Sequence, residues 1–265
     1  MTPWSGKWAL VTGASAGIGK ALAEELARGG TNLMLTARRR ERLEELTQQL
    51  SRDHKIQTKT LVADLAQPDA PEKIFQFTRE HGLQIDLLIN NAGFGAYGEF
   101  QRIELQKFLD MVQVNCSAVV HLTRLYLPEM TARRRGDVLI VASTAAFQSV
   151  PYISTYAATK GFDLLFAEGL AEEAKPYGVR VCALCPGSTE SEFVEVAGQT
   201  EVAASRRHRE TAEKVARTGL QALAAGRSCV ISGLPNYLGV LSQRLVSRRL
   251  VSRVAARMFR PRAKA

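Results

Sequence analysis

The strongest constraint on this chain is an alternation that runs along its whole length. Short apolar runs at residues 8–12, 32–36, 60–63, 86–90, 137–142, 179–184 and 229–231 are separated by longer stretches with helical spacing. Those stretches cover about 18–28, 40–51, 72–80, 104–132, 154–175 and 192–226. Several of the short runs (Ala-Leu-Val, Leu-Leu-Ile, Val-Leu-Ile-Val) are apolar throughout instead of alternating. A strand without a polar face is one covered by helices on both sides, which is the condition of a parallel strand. Repeated β–α succession therefore predicts an α/β chain with one doubly wound, mostly parallel seven-stranded sheet. At 265 residues the chain can bury such a core without disulfides. No repeat or linker divides it, so residues 1–236 are expected to form one domain, with 237–265 as a tail.

Charge and cysteine content narrow the function classes. The net charge is +9, but residues 237–265 hold seven arginines and one lysine and no acid, which leaves +1 for the body. A nucleic-acid partner is not expected, because the basic tail has no interleaved aromatics to stack bases. No uncharged apolar stretch reaches the ~18 residues of a spanning helix. The N-terminus enters a strand-like run without a basic-then-apolar leader, so no secretory signal is expected. Four cysteines in a chain of this length do not suggest a disulfide framework, and a reducing cytoplasm is the expectation.

The turn after the first strand carries the first chemistry. Residues 12–19 read Thr-Gly-Ala-Ser-Ala-Gly-Ile-Gly. Gly13, Gly17 and Gly19 permit a tight turn and close approach of a ligand, while the helix that follows offers free N–H groups and a partial positive charge to a pyrophosphate. Ser15, Ala16 and Ile18 complete that loop. The same letters satisfy GxSxG, a nucleophile elbow centred on Ser15. That hydrolase reading needs a downstream acid and histidine, and only His54, His81, His121 and His208 follow. His208 lies in the Arg-rich stretch Ser-Arg-Arg-His-Arg-Glu, and the reading leaves the rest of the chain unexplained.

Further signals follow in order: Asn90-Asn91-Ala92-Gly93 at the fourth strand, Asn115 in the long helical tract, Ser143 after the fifth strand, Tyr156-Ala-Ala-Thr-Lys160 opening a helix, and Pro186-Gly187 after the sixth strand. With the TGxxxGIG turn, this set resembles the short-chain dehydrogenase/reductase family over residues about 5 to 195. The resemblance implies a Rossmann-type domain with Asn115, Ser143, Tyr156 and Lys160 as catalytic residues. It also implies a water-linked proton relay organised by Asn115. Asp64 and Leu65 would border the adenine, Asn91 and Gly93 the ribose and nicotinamide, and Thr189 the carboxamide.

The residues support that chemistry in their own right. Tyr156 and Lys160 share one helix face. A phenol ordinarily titrates near ~10, and a nearby ammonium lowers that value, which suits proton exchange with an alcohol or ketone. Lys160 can also donate to a ribose, and the Ser143 hydroxyl can stabilise charge developing on a carbonyl oxygen. The hydride would come from a nicotinamide cofactor.

NAD-selective folds place a carboxylate at the end of the second strand. Here that strand runs into Arg38-Arg39-Arg40, with no acid before Glu41. A guanidinium binds a 2′-phosphate with paired hydrogen bonds. Arg38 is the expected ligand, Arg39 and Arg40 reading as the solvated start of a helix, with Ser15 adding a hydroxyl. NADP(H) is therefore the expected cofactor, and a ketone or secondary alcohol the expected substrate. A second reading keeps fold and nucleotide but makes the protein a non-catalytic sensor or scaffold.

Other features are weaker. Cys182 and Cys185 have CxxC spacing, but strand geometry turns residues three apart to opposite faces, so no metal site is expected. Phe94, Tyr97 and Phe100 are read either as pocket lining or as loop packing. Residues 188–226 are expected to form a substrate lid whose apolar members (Phe193, Val194, Val196, Leu220, Leu223) suggest a hydrophobic substrate. On a helical wheel for residues 249–260, Arg249, Arg253, Arg257 and Arg260 form one stripe opposite Val251, Val254, Ala255 and Met258. Two readings stay open: an element for a membrane surface or acidic partner, or a helix packed on a neighbouring subunit. A homo-oligomer is expected.

Overall fold

The computed structural model describes residues 2–190, 192–193, 197–198 and 209–261. Val194, Val196 and His208 lie outside the described residues. The elements run β1 (Trp8–Thr12), α1 (Gly17–Arg28), β2 (Asn32–Ala37), α2 (Arg40–His54), β3 (Thr58–Val62), α3 (Ala70–Glu80), β4 (Ile85–Asn90), α4 (Leu105–Val112), α5 (Ala118–Ala132) and β5 (Gly136–Val141). Then follow α6 (Ser154–Ala174), β6 (Val179–Cys185), α7 (Ala212–Ala224), β7 (Cys229–Ile231), α8 (Leu234–Ser242) and α9 (Arg248–Phe259).

The strands form one seven-stranded sheet in the order β3-β2-β1-β4-β5-β6-β7, and every pairing is parallel. The all-apolar strands explain its burial. Ala9, Val11, Leu33 and Leu35 point to the face covered by α1, α2 and α7, while Leu10 and Met34 point to the face covered by α3, α5 and α6. Alternate residues of each strand thus serve different cores. Cys182 and Cys185 follow the same rule and face opposite sides. No helix among the described residues is long and apolar enough to cross a membrane.

The strand order reverses between β1 and β4, which opens a crevice at the carboxyl ends of the strands. Beneath it, Asp137 of β5 ties the sheet to the chain start. Its carboxylate accepts from Trp4 Nε1 at 2.7 Å and from Arg180 Nε and Nη2 at 2.6 and 2.9 Å. Asp137→Ala removes a buried acceptor and strands the Trp4 donor, so we expect a loss of about 2–3 kcal/mol, read as a lower urea midpoint.

Two differences from the sequence reading matter for the site. The tract over residues 104–132 is not one regular helix: α4 passes into α5 through a π-helical turn, Gln113–Ser117. Apolar periodicity does not reveal such a turn, and this one carries Asn115. The boundary expected at 236/237 falls inside α8, and the tail is no appendage. Ala255 and Phe259 of α9 are buried with Val150, Ile153 and Ala157, and the Tyr97 hydroxyl donates to the Phe259 carbonyl at 2.9 Å.

Candidate active site

The crevice holds a cavity of about 950 Å³, large for a small-molecule site. One end is built from the glycine turn. Gly13 and Gly17 adopt left-handed φ of 66° and 54°, and a Cβ on Gly19 would stand 2.4 Å from the Gly13 carbonyl oxygen. Helix α1 starts with no side-chain cap and no acid in its first turn, and its first residues line the cavity. An uncapped helix end behind a glycine turn is a cradle for pyrophosphate, so the residues present fit a dinucleotide.

Asn91 and Thr12 hold that turn. The Asn91 amide donates to the carbonyls of Thr12 and Gly13 at 2.8 and 3.3 Å, and the Thr12 hydroxyl accepts from the Asn91 and Ala92 N–H groups at 2.9 and 3.0 Å. The Asn91 side chain is therefore committed to the turn, although the residue lines the cavity as Asp64, Leu65 and Thr189 do. Asp64 Oδ1 accepts from the Ala66 N–H at 3.1 Å, closing its loop.

At the end of β2, Arg38 and Arg39 both line the cavity. Arg39, read from sequence as solvated, donates to the Ser15 hydroxyl from Nε and Nη2 at 3.3 and 3.2 Å, and its Nη1 lies 2.6 Å from Glu192 Oε2. Arg42 holds the other Glu192 oxygen at 2.5 Å, and together the guanidinium groups keep that carboxyl below its ordinary range. This corner already accepts an anion. Ser15 is thus engaged by arginine. Among the described residues no histidine lines the cavity, and His208 lies outside them.

The other end is lined by Ser143, Tyr156 and Lys160, while Asn115 is fully buried and is not part of the lining. Ser143 follows β5 and caps a short 3₁₀ turn, its Oγ accepting from the Ala145 N–H at 3.1 Å. The cap leaves the hydroxyl proton free to serve the crevice, where a hydrogen bond with Ser143 favours ionised Tyr156. Burial is nevertheless the largest influence, and with the nearby Asp163 and Cys185 it pushes the Tyr156 phenol above its ordinary value against Lys160 and Ser143. The lowering expected from the ammonium alone is thus reversed, because the crevice walls strip water from the phenolate. The Tyr156 ring packs on Phe193, with centroids 5.1 Å apart.

Lys160 is 5% exposed and donates to the Val141 carbonyl at 2.7 Å and to Asp163 Oδ2 at 2.9 Å. Asp163 attracts the ammonium and Tyr156 adds to it; against the opposing cost of burial, the Lys160 pKa still lies above its ordinary value. Asp163, 1% exposed, was missed by sequence reasoning. Its spacing three residues after Lys160 in a helix was the available signal. Asn115 does not reach Lys160. Its Oδ1 accepts from the Phe94 N–H at 3.1 Å, and its Nδ2 donates to the Phe94 carbonyl and the Thr159 hydroxyl, both at 3.0 Å. Gly93 fills the space between them: a Cβ there would stand 3.1 Å from Asn115 Oδ1 and 3.5 Å from Lys160 Nζ.

The three aromatics after Asn91 divide. Phe94 lines the cavity, Tyr97 anchors α9, and Phe100, 65% exposed, stacks on Phe108. Leu220 and Leu223 lie in the core beneath α7 and not at the cavity. Phe193 does line the cavity, and with Phe94 the rest of the apolar lining comes from Val150 and Ile153 and from α8–α9, through Val240, Val251, Val254 and Phe259.

Fold and site together define a nucleotide-binding protein of the Rossmann class. The chain belongs to the short-chain dehydrogenase family, whose model matches residues 7–202. It is 40% identical over 190 residues to very-long-chain 3-oxoacyl-CoA reductase-A of Danio rerio, covering 70% of this chain and 59% of that protein. It is 36% identical over 195 residues to the Bos taurus very-long-chain 3-oxoacyl-CoA reductase, covering 69% and 60%. The chain thus matches about three-fifths of the length of these relatives. Among solved structures, a short-chain dehydrogenase from Sphingobium yanoikuyae in complex with NADPH superposes with a TM-score of 0.82 at 27% identity, over 98% of both chains. A 7beta-hydroxysteroid dehydrogenase superposes with a TM-score of 0.86 at 28% identity, over 96% of this chain and 98% of that one.

Proposed function

We propose that the protein is an NADP(H)-dependent reductase of a hydrophobic ketone, acting through Tyr156, Ser143 and Lys160. The observation that carries this reading is the meeting of those three side chains with an apolar cavity wall opposite the glycine turn. Relatives named for very-long-chain 3-oxoacyl-CoA and a neighbour named for a hydroxysteroid support a long-chain 3-oxoacyl thioester or a steroid-like ketone as the substrate class.

When bound, the nicotinamide supplies the hydride. Ser143 donates to the substrate carbonyl oxygen and sets its distance from Tyr156. The Tyr156 phenol, kept protonated by its raised pKa, gives its proton to that oxygen as charge develops on it. Lys160 holds positive charge beside the resulting phenolate and has a third N–H to offer a ribose hydroxyl. Asn115 holds the Phe94 backbone beside the cavity, and a water-linked relay from it to Lys160 is part of the proposal.

Arg38, Arg39 and Ser15 support the phosphate-bearing nucleotide. Losing one charge-assisted pair costs about 1.5–3 kcal/mol. Arg39→Ala is therefore expected to raise KM for NADPH by about 10–100-fold with little effect on NADH; an equal effect on both would assign Arg39 a structural role. Exposed apolar side chains on α4, α5 and α6 (Leu105, Leu109, Val112, Val120, Phe162, Leu165) support a homo-oligomer. Four free cysteines support a reducing, cytoplasmic setting. The test of the whole reading is a titration with NADPH and NADH, followed by a panel of long-chain and steroid-like ketones read through loss of reduced-nucleotide absorbance. Nucleotide binding with no ketone reduced would favour the scaffold reading.

A further inference from the structure

The segment from α8 to α9 has three kinds of face. Its inner face is anchored, through Val240, Ala255 and Phe259. A second face exposes apolar side chains to solvent: Leu234, Tyr237, Leu238 and Leu241 at helical spacing on α8, and Leu250, Val254 and Met258 at i, i+4, i+8 on α9. Leu245, between the helices, is 86% exposed. With Val246, these are nine of the eighteen large hydrophobics exposed among the described residues, gathered in 25 positions. A third face, adjoining the apolar stripe on α9, carries Arg249, Arg253 and Arg257.

The last acidic residue in the chain is Glu213. Among the described residues no ion pair involves Arg244, Arg248, Arg249, Arg253, Arg257 or Arg260. Leu250, Val254 and Met258 also line the catalytic cavity. The exposed stripe of α9 is therefore the rim of the cavity mouth.

We propose that the outer surface of α8 and α9 docks on an anionic lipid bilayer and opens the catalytic cavity onto the acyl region. An apolar stripe flanked by arginines on a helix held flat against its domain is the arrangement that lies in a membrane interface. Its charge complements anionic headgroups, while the apolar side chains enter the acyl boundary. A second copy of this chain fits less well, because a two-fold contact would set the arginine stripe against itself. The link to substrate entry rests on the reading of the cavity as a hydrophobic-ketone site; the docking does not.

The test is co-sedimentation of the full chain with vesicles of phosphatidylcholine alone and with phosphatidylglycerol mixed in. Binding is expected to be at least about tenfold stronger on the mixed vesicles and to weaken with salt. Arg249→Gln with Arg253→Gln and Arg257→Gln should remove that preference. Leu238→Ser with Leu245→Ser should lower binding to mixed vesicles about tenfold at every salt concentration. Both residues are exposed and outside the cavity lining, so an unchanged thermal midpoint shows that these variants fold. Absence of binding to either vesicle, or binding unaffected by both sets of changes, overturns the proposal. So does an oligomer that the leucine variant dissociates, since the face would then belong to a second copy. Vesicle binding that survives with no ketone reduced removes the functional reading and leaves the docking. Turnover of soluble ketones without vesicle binding removes the docking alone.

Discussion

Tyr156→Phe is expected to lower kcat for ketone reduction by about 10²–10⁴-fold, the usual worth of a positioned general acid, while the dissociation constant for NADPH stays unchanged. The substitution removes one oxygen and keeps the ring that packs on Phe193, so neither the cavity wall nor the glycine turn is disturbed. The raised phenol pKa sets the pH behaviour of the unmodified protein. Reduction needs the protonated phenol, so its rate should be level through neutral pH and fall only as the pH climbs through the raised value. Alcohol oxidation needs the phenolate and should rise over the same alkaline range. Steady-state rates in both directions, with nucleotide binding measured separately, check this. Residual reduction near the wild-type rate would show that another group delivers the proton.

Asp163→Asn is expected to cost about 3–5 kcal/mol of stability, because it leaves the Lys160 ammonium buried without its carboxylate. The folded-state pKa of Lys160 is raised, so its contribution is complete below the ordinary lysine value of about 10.4 and is lost as pH rises through the higher folded value. In the variant, Lys160 keeps the Val141 carbonyl and Tyr156 but loses the carboxylate, so burial weighs more heavily and its pKa should fall. The rate of reduction should then decline with rising pH well before it does in the parent enzyme. That profile separates a positioning role from simple destabilisation, and Asp163→Glu should restore part of it by returning the charge. A variant with the parent's pH profile and urea midpoint would show that Asp163 does neither.

The sequence by itself determined the sheet, the crevice and the cavity residues of the glycine turn and of the Tyr156 helix, but not the wall built from Val150, Ile153 and α8–α9. Apolar strands can be covered only by helices on both faces, and glycines at 13, 17 and 19 can serve only where the backbone turns tightly against a neighbour. Tyr156 and Lys160 were legible because one helical turn joins them. Only the tertiary structure decided what depends on the meeting of distant segments. Arg39 is turned into the cavity by Ser15 and Glu192, which stand 24 and 153 residues away along the chain. The direction of the Tyr156 pKa follows from burial, which no local spacing encodes. Leu220 and Leu223 went to the core while the chain end came back to wall the cavity, because apolar residues in a periodic stretch look alike until packing assigns them a side. The arginine stripe of α9 was visible on the helical wheel. Its place beside an apolar rim at the cavity mouth was set by Ala255 and Phe259 packing on Val150, Ile153 and Ala157.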